Sequence, residues 1–463
     1  MIRLFRVYVP VGTLTLLVTE TILLLTAFCV ATYAVLTFDP SIFLLYDGGF
    51  LRISLVVASI LIGLYFHDLY TDLYVKSKSI LLQQLTLIIG TAFLLQGFIS
   101  YLDADLRVPI RVMIVGAFLS IVGMFCWRIF FCKYVLQVVN RDILLLVGAS
   151  PLLRDIADYI QRHPESGQAV AGYIDDSSEP GAELPGCKLL GPLSTLEDIV
   201  AAVGPSRIVV GMSERRSRMP VNRLLELRFT GHMIEEAPTA YERICGRVCL
   251  KELRPSQLIY SGEMGPRRTN LMYQSVMNRG IAIVGILLSF PLMLLTALAV
   301  RLSSPGPILY RQVRVGLNGE PFTIYKFRSM RADAEAGTGA IWASKDDPRV
   351  TPVGRVIRKI RFDELPQLFN VLFGDMSLVG PRPERPEFVR EFSENIPYYR
   401  QRHCVRPGIT GWAQINYKYG DTLEDTICKL EYDLYYIKNM GLSLDSYIIF
   451  HTIKAMLLSR GSQ

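Results

Sequence analysis

Long apolar segments separated by short polar loops fill the first 135 residues of the chain. Residues 11–38, 50–66, 80–100 and 109–127 are almost entirely apolar. Each segment is close to the roughly 20 residues that an α-helix needs to cross the hydrocarbon core of a bilayer. The pattern therefore predicts a transmembrane domain of four helices over residues 1–135.

Loop charges predict the orientation of these helices, because cytoplasmic loops carry an excess of Lys and Arg. Arg3 and Arg6 precede the first segment, and Lys76 and Lys78 follow the second. The loops after the first and third segments carry more acidic than basic residues. Three cations follow the fourth segment: Arg128, Lys133 and Arg141. Both ends of the domain are therefore predicted to face the cytoplasm.

One acidic residue, Glu20, interrupts the first apolar segment. An ionised carboxylate is costly in lipid, and such residues usually face the interior of a helix bundle. We therefore expect Glu20 to pack against a partner helix rather than to carry chemistry.

Strand and helix patterns alternate over residues 140–245. The strand patterns lie at 142–148, 169–174 and 207–211, and the helical patterns at 151–161, 194–203 and 221–229. This alternation predicts a Rossmann-like domain built on a parallel sheet. Residues 246–277 are predicted to form a linker that approaches the membrane.

The Rossmann-like domain raises the hypothesis of a nucleotide site. Gly148, Ala149 and Ser150 would form the phosphate turn, and Asp175 would bind the ribose. Serine and leucine stand where the later glycines of the fingerprint belong, so a scaffolding or regulatory role is favoured.

A fifth apolar segment, residues 281–300, differs from the first four. Pro291 lies near its centre and is expected to kink the helix, and the Ser289 hydroxyl is expected to satisfy part of the freed backbone. Basic residues flank both ends, which favours a kinked re-entrant helix that enters and leaves on one membrane face. An ordinary fifth span is the less favoured alternative.

The strongest candidate for chemistry is residues 355–384. Asp363 and Glu364 are adjacent and follow four cations: Arg355, Arg358, Lys359 and Arg361. The pair suggests a nucleophile and a metal ligand that face a phosphorylated substrate; the alternative is a capped helix with solvated charges. Lys326 and Arg328 are predicted to share one face of an extended segment and to grip a diphosphate.

Composition agrees with a membrane protein that handles anions. The 463 residues are 51% hydrophobic with a net charge of +7, and the mean hydropathy is +0.31. This charge suits anionic lipid or phosphorylated substrates. Nucleic acid is a weaker hypothesis, because no compact basic run interleaved with aromatics occurs. The eight cysteines are scattered, which argues against zinc.

Several motifs in order resemble the bacterial sugar transferase family, the monotopic phosphoglycosyl transferases or polyprenyl-phosphate hexose-1-phosphate transferases. The motifs are Ser303-Ser-Pro-Gly-Pro307, Lys326-Phe-Arg-Ser-Met330, Asp363-Glu-Leu-Pro-Gln367, Leu378-Val-Gly-Pro-Arg-Pro383, Arg406-Pro-Gly-Ile-Thr-Gly-Trp-Ala-Gln414 and Asp433-Leu-Tyr-Tyr436. With four membrane helices and a Rossmann-like domain in front, the chain is similar to the large form of that family. The run from Asn416 resembles the exopolysaccharide branch associated with exosortase systems.

The resemblance implies transfer of a sugar 1-phosphate from a UDP-sugar to undecaprenyl phosphate, with release of UMP, at the cytoplasmic face of the bacterial inner membrane. By position, Asp363 would be the nucleophile that forms a covalent phosphosugar intermediate, and Glu364 would hold Mg²⁺. The α/β catalytic domain would span residues 278–463. The resemblance assigns substrate contacts to six residues: Lys326, Arg328, Pro381, Arg382, Pro383 and Arg406.

Two positions depart from the family pattern. Phe290 separates Ser289 from the kink proline, and Arg361 stands where a small hydroxyl residue is common. Two other function classes are alternatives: a catalytically silent membrane sensor of nucleotide sugars, and a Leloir glycosyltransferase, whose Asp-x-Asp motif after a strand is not found. A homodimer through the N-terminal domains is a further hypothesis.

Overall fold

A computed structural model shows a chain that divides into two compact units. One unit consists of Met1–Leu4 and Tyr8–Ala240, and the other of Phe5–Val7 and Tyr241–Gln463. The structure describes residues 2–4, 7–71, 73–75, 77–136, 142–176, 184, 186–212, 219–253, 265, 268–331, 334, 347–417, 420 and 422–457.

Four long helices open the first unit, after two short strands, β1 (Ile2–Leu4) and β2 (Val7–Val9). They are α1 (Val11–Val35), α2 (Gly49–Phe66), α3 (Lys78–Leu102) and α4 (Ile110–Phe130). Each is long and apolar enough to cross a membrane. A helix is found at each of the four predicted segments, and the first ends at Val35 rather than at residue 38. The number of helices that span the membrane stays a prediction.

A buried ion pair joins α1 to α4. Glu20 is fully buried, and Arg128 Nε lies 2.7 Å from its Oε1. The Tyr70 hydroxyl donates to Oε2 of the same carboxylate at 2.7 Å. The expectation that Glu20 packs against a partner helix is confirmed. The assignment of Arg128 to a loop is wrong, because Arg128 lies in α4 and forms this ion pair. Three other cations used to predict the orientation, Arg6, Lys76 and Arg141, lie outside the described residues.

A five-stranded sheet follows in the same unit, with strand order β5-β4-β3-β6-β7. Every pairing in it is parallel, so the predicted parallel sheet is confirmed. The elements are β3 (Asp142–Val147), α5 (Pro151–Arg162), β4 (Gln168–Ile174), β5 (Leu189–Gly191), α6 (Leu196–Val203), β6 (Arg207–Val210), α7 (Val221–Phe229) and β7 (Met233–Glu236).

The polar side chain in the turn after β3 makes its hydrogen bond within the fold. Gly148 has a φ of 99°, which favours glycine, and the Ser150 hydroxyl accepts a hydrogen bond from the Leu153 amide at 3.3 Å, capping α5. Asp175, the predicted ribose ligand, follows β4, and its backbone amide donates to the Gly191 carbonyl at 3.3 Å. The carboxylate of its neighbour Asp176 accepts from the Leu193 amide at 2.7 Å. The Gly148 conformation and the Ser150 cap account for the turn after β3, and nucleotide binding by this unit stays a hypothesis.

The second unit contains one long helix, six shorter helices and two small sheets among its described residues. Helix α8 (Ala237–Cys245) crosses the boundary between the units. The elements that follow are α9 (Arg268–Ser303), β8 (Leu309–Val315), β9 (Pro321–Phe327), α10 (Pro352–Lys359), α11 (Gln367–Phe373), β10 (Ser377–Val379), α12 (Pro386–Asn395), β11 (Gly408–Thr410), α13 (Trp412–Asn416), α14 (Leu423–Asn439) and α15 (Leu442–Leu457). Strands β8 and β9 pair antiparallel, and β10 and β11 pair parallel.

Helix α9 contains the fifth apolar segment and starts 13 residues earlier than that segment. It has 36 residues with Pro291 inside, and it too is long and apolar enough to cross a membrane. The Ser289 hydroxyl donates to the Gly285 carbonyl at 2.6 Å, not to the Leu287 carbonyl that a proline at 291 leaves without its helical donor. The re-entrant path stays a prediction. The predicted linker lies partly outside the described residues.

Both ends of α9 form hydrogen bonds with other elements of the second unit. Near its start, the Gln274 amide donates to Asp445 at 2.9 Å, and the Asn278 amide donates to Ser377 of β10 at 2.8 Å. Near its end, Arg328 donates to the carbonyl of Ser304 at 2.6 Å. The middle of α9 exposes large apolar side chains, such as Leu288, which is 78% exposed.

Candidate active site

The carboxylate pair lies on a tight turn between two helices. Helix α10 starts at a Thr351 cap, whose hydroxyl accepts from the Gly354 amide at 2.9 Å. After α10 ends, Arg361 adopts a left-handed conformation, with φ 60° and ψ 21°. A 3₁₀ turn, Phe362–Glu364, then presents the pair ahead of α11. The pair therefore lies ahead of α11, which begins only at Gln367.

Three cations surround the Glu364 carboxylate. Lys326 Nζ and Arg382 Nη2 each lie 3.2 Å from Oε1, and Arg361 Nη1 lies 3.6 Å from Oε2. Burial opposes ionisation of this side chain, which is only 11% exposed, but the three cations hold the pKa of Glu364 well below its usual range. Glu364 is therefore ionised at neutral pH.

Asp363 has the opposite electrostatic character. Burial and the neighbouring Glu364 charge raise its pKa to about 6, although Lys326, Arg358 and Arg361 pull it down. Within the described part of the chain, its carboxylate accepts no hydrogen bond. Adjacent carboxylates with separated pKa values suit different roles, and Asp363 is the more basic of the two.

Asn370 fixes the strand that carries Lys326. Its side chain is fully buried, donates to the Thr323 carbonyl at 2.7 Å, and accepts from the Tyr325 amide at 3.1 Å. These two bonds tie α11 to β9 and set Lys326 opposite Glu364. Sequence reasoning missed Asn370, and the signal was an amide inside the apolar run from Leu368 to Phe373.

Arg382 is placed by a rigid turn at the end of β10. The Gly408 amide donates to the Pro381 carbonyl at 2.9 Å, and a β-carbon on Gly380 would collide with the backbone carbonyl of Arg406. Pro381 and Pro383 flank the arginine and limit its backbone. The turn delivers the Arg382 guanidinium to Glu364.

A second buried ion pair supports this turn. Arg402 Nε and Nη2 lie 3.0 and 2.8 Å from Oδ2 of Asp433, and Nη1 donates to the Tyr399 hydroxyl at 2.9 Å. The same guanidinium donates to the Arg382 carbonyl at 3.0 Å. Arg402 was absent from the sequence prediction.

Arg328 does not join the site. It is 5% exposed, and its guanidinium donates to Pro305 at 3.0 Å and to both Ser304 oxygens, at 2.6 and 2.9 Å. The structure therefore uses Arg328 to satisfy carbonyls at the end of α9, and this arrangement does not support the predicted phosphate contact.

Arg406 makes no side-chain hydrogen bond or ion pair with the other described residues. It lies two residues before β11, and within the described residues no hydrogen bond or ion pair joins its side chain to the carboxylate pair. Its predicted substrate contact stays a prediction.

The donor set around Glu364 fits a metal ion that takes most of its ligands from substrate. Among the described residues, no three His, Cys, Asp or Glu side chains gather into a site. Glu364 is an ionised hard oxygen ligand, and its Oε2 is 3.6 Å from Arg361, beyond hydrogen-bond distance. One carboxylate with phosphate and water oxygens is a common Mg²⁺ arrangement.

The part of the chain that contains this site is similar to known proteins. The sequence model described as "Bacterial sugar transferase" matches residues 269–459. Over 222 residues the chain is 48% identical to a UDP-N-acetylgalactosamine-undecaprenyl-phosphate N-acetylgalactosaminephosphotransferase of Aeromonas hydrophila. That alignment covers 48% of this chain and 52% of the relative, so it spans about half the length of each protein.

Two longer matches extend the similarity. The chain is 34% identical over 339 residues to a UDP-glucose:undecaprenyl-phosphate glucose-1-phosphate transferase of Xanthomonas campestris pv. campestris, covering 69% of this chain and 68% of the relative. It is 33% identical over 316 residues to a protein of the same description from Klebsiella pneumoniae, covering 68% and 67%.

Proposed function

Because this chain belongs to the bacterial sugar transferase family, we propose that it is a polyprenyl-phosphate sugar-1-phosphate transferase. It transfers a sugar 1-phosphate from a UDP-sugar to undecaprenyl phosphate, and it releases UMP and an undecaprenyl diphosphate sugar. The observation that carries the proposal is the Asp363–Glu364 pair on a turn surrounded by Lys326, Arg361 and Arg382.

The reaction proceeds in two displacements at one phosphorus. In the first, an Asp363 oxygen attacks the β-phosphorus of the donor, a carboxylate–phosphorus bond forms, and the bond to the α-phosphate oxygen breaks to release UMP. In the second, a phosphate oxygen of undecaprenyl phosphate attacks the same phosphorus and frees the carboxylate. No redox partner is needed, and each step exchanges one P–O bond for another.

The electrostatics of the pair support this division of roles. Asp363, with a pKa of about 6, is ionised at neutral pH and more basic than an ordinary aspartate. Its carboxylate is available to react because no described residue donates a hydrogen bond to it. The surrounding cations attract the donor diphosphate and stabilise the charge on the departing UMP.

We propose Glu364 as the protein ligand for Mg²⁺. When bound, the ion neutralises charge on the donor diphosphate. Lys326 and Arg382 keep Glu364 ionised by contacts to Oε1, and Oε2 is the oxygen that would bind the ion.

The contacts of α9 support catalysis at one membrane face. Gln274 near its start contacts Asp445, and the Ser304 carbonyl just past its end contacts Arg328, both in the same unit as α9. A straight helix of 36 residues is about 54 Å long, well beyond the roughly 30 Å of a hydrocarbon core. We propose that α9 is re-entrant and that the site faces the cytoplasm at the inner membrane, where a lipid phosphate and a soluble nucleotide meet.

For the transferred sugar, we propose a chemical class. The relatives are named for N-acetylgalactosamine and for glucose, so we propose a hexose or N-acetylhexosamine as cargo and the first membrane step of exopolysaccharide assembly as the setting. The test incubates purified protein with Mg²⁺, undecaprenyl phosphate and a panel of UDP-sugars while UMP is measured. Release of UMP with one donor supports the proposal, and release with none contradicts it.

A further inference from the structure

A row of three polar side chains on β8 lies on the same face of the hairpin as Lys326. The row is Tyr310, Gln312 and Arg314, which occupy alternate positions of the strand and therefore share one of its faces. Tyr310 pairs directly opposite Lys326 of β9, and side chains opposite each other in an antiparallel pair lie on the same face. The row therefore begins beside a cation that contacts Glu364.

Hydrogen bonds connect the row from end to end. The Gln312 amide donates to the Tyr310 hydroxyl at 2.9 Å, and its oxygen accepts from Nε of Arg314 at 2.9 Å. Nη1 of Arg314 donates in turn to the Pro383 carbonyl at 2.9 Å. Pro383 directly follows Arg382 in the chain. The row therefore ends at the turn that carries a second cation of the site.

The residues at the two ends of the row meet at one atom. Lys326 Nζ and Arg382 Nη2 both donate to Oε1 of Glu364, each at 3.2 Å. The backbone supports the same arrangement, because the Val315 amide at the end of β8 donates to the Glu384 carbonyl at 3.0 Å. Strand β8 is thus placed to set the spacing between the two cations.

Arg314 depends on its acceptors to keep this position. Its side chain is only 20% exposed. Burial lowers the pKa of Arg314, and the nearby charges of Arg382 and Arg385 lower it further, although Glu384 opposes them. Loss of the Gln312 oxygen would leave the Nε donor of this guanidinium without its acceptor, which is costly for a group largely removed from water.

We propose that Gln312 is a positioning residue that holds Arg382 at the donor diphosphate, through Arg314 and the Pro383 carbonyl. The inference rests on the proposed function, because it assigns the support of a cation that attracts that diphosphate. Gln312 acts through Arg382 and does not itself need to touch the substrate. Its loss should therefore weaken binding of the donor more than it slows the chemical step.

The first test compares three variants of β8. Gln312→Met is similar in length and loses both hydrogen bonds, so we expect the KM for the UDP-sugar to rise at least fivefold with little change in kcat. Gln312→Glu keeps an acceptor for Arg314 and should recover most of this increase. Arg311→Met, an exposed change on the opposite face of the strand, is the matched control and should keep the wild-type KM.

The pattern of these constants distinguishes positioning from a role in folding alone. A folding defect reduces the active fraction, which lowers the measured kcat and leaves the KM unchanged. A wild-type KM for Gln312→Met, an equal increase for Gln312→Glu, or an equal increase for Arg311→Met would overturn the inference.

A double variant tests whether Gln312 acts through Arg382. UDP is titrated calorimetrically, with Mg²⁺ present, into the full chain carrying Asp363→Asn, so that no turnover is needed. Adding Gln312→Met should raise the Kd for UDP at least fivefold when Arg382 is intact, but less than twofold in the presence of Arg382→Met. Equal effects in both backgrounds would overturn the positioning role.

This binding measurement also separates the inference from the proposed function. If the wild-type chain turns over no UDP-sugar, the proposed function fails, but a loss of UDP affinity in Gln312→Met that depends on Arg382 still supports the positioning role. If UMP is released while Gln312→Met keeps the wild-type Kd and KM, the positioning role alone is wrong.

Discussion

The guanidinium of Arg402 donates a 3.0 Å hydrogen bond to the backbone carbonyl of Arg382. Arg382 in turn places its own guanidinium 3.2 Å from the Glu364 carboxylate. The buried Arg402–Asp433 pair thus acts on the site through the position of another residue. It is a positioning device rather than a catalytic group.

Removing one partner of this pair should reduce both stability and activity. Asp433→Asn leaves the Arg402 charge buried without its counterion, which typically costs about 3–5 kcal/mol. We expect a lower thermal unfolding midpoint for the detergent-purified protein and a loss of UMP release.

A double variant separates the two effects. Replacing both buried charges by apolar residues is often neutral for stability, so Arg402→Met with Asp433→Leu should recover most of the lost midpoint. Its kcat/KM should stay at least tenfold below wild type, because the Arg382 carbonyl has lost its donor. Full recovery of activity would show that Arg402 does not position Arg382.

The first displacement should lose rate in acid. Asp363 attacks as a carboxylate, and its pKa is raised to about 6. The kcat/KM for UMP release should therefore be flat above about pH 7 and fall roughly tenfold per unit well below pH 6. Measuring a single turnover without undecaprenyl phosphate removes the titration of that lipid from the profile.

The variant Lys326→Met tests the origin of this pH dependence. Lys326 lowers the pKa of Asp363, so its removal should move the acid limb to higher pH as well as lower the plateau. A wild-type profile that stays flat to pH 4.5 would contradict the assignment of Asp363 as the titrating nucleophile.

Arg361 combines an unusual backbone conformation with a charge beside the pair. Its φ of 60° is tolerated by glycine at no steric cost. Arg361→Gly should keep the unfolding midpoint close to wild type and still raise the KM for the UDP-sugar severalfold, because a cation 3.6 Å from Glu364 is lost. Arg361→Val should also lower the midpoint, since a left-handed conformation costs such a residue about 1–2 kcal/mol. Equal midpoints for the two variants would exclude strain at this turn.

Arg328 should prove a structural residue. Its guanidinium serves the Ser304 and Pro305 carbonyls at the end of α9, a geometry that lysine cannot reproduce. Arg328→Lys should lower the unfolding midpoint and leave the KM of the remaining folded enzyme close to wild type. Lys326→Met should show the reverse pattern. A large rise in KM without a lower midpoint for Arg328→Lys would restore its predicted role at the phosphates.

Local patterns were sufficient to predict the elements and the centre of the site. Apolar runs near 20 residues predicted α1 to α4, and alternating strand and helix patterns predicted the parallel sheet. The adjacent carboxylates Asp363 and Glu364 with Lys326 and Arg382 could be assigned because the family motifs mark each of them. These features are encoded within short stretches of chain.

The residues that sequence reasoning missed act across long separations. Arg402 contacts Asp433 31 residues later in the chain, and Asn370 ties α11 to a strand 47 residues earlier. Arg328 carries a motif position, yet its neighbours in space decide its role. Spacing along the chain does not reveal such contacts, because they form only when separate elements pack.

The most direct test of the account is the intact mass of the protein after incubation with Mg²⁺ and the active UDP-sugar, without undecaprenyl phosphate. We predict one added sugar phosphate, located on Asp363 by peptide mapping, lost when undecaprenyl phosphate is supplied, and absent in Asp363→Asn. Release of UMP by Asp363→Asn at the wild-type rate, or wild-type turnover with no adduct on Asp363, would contradict it.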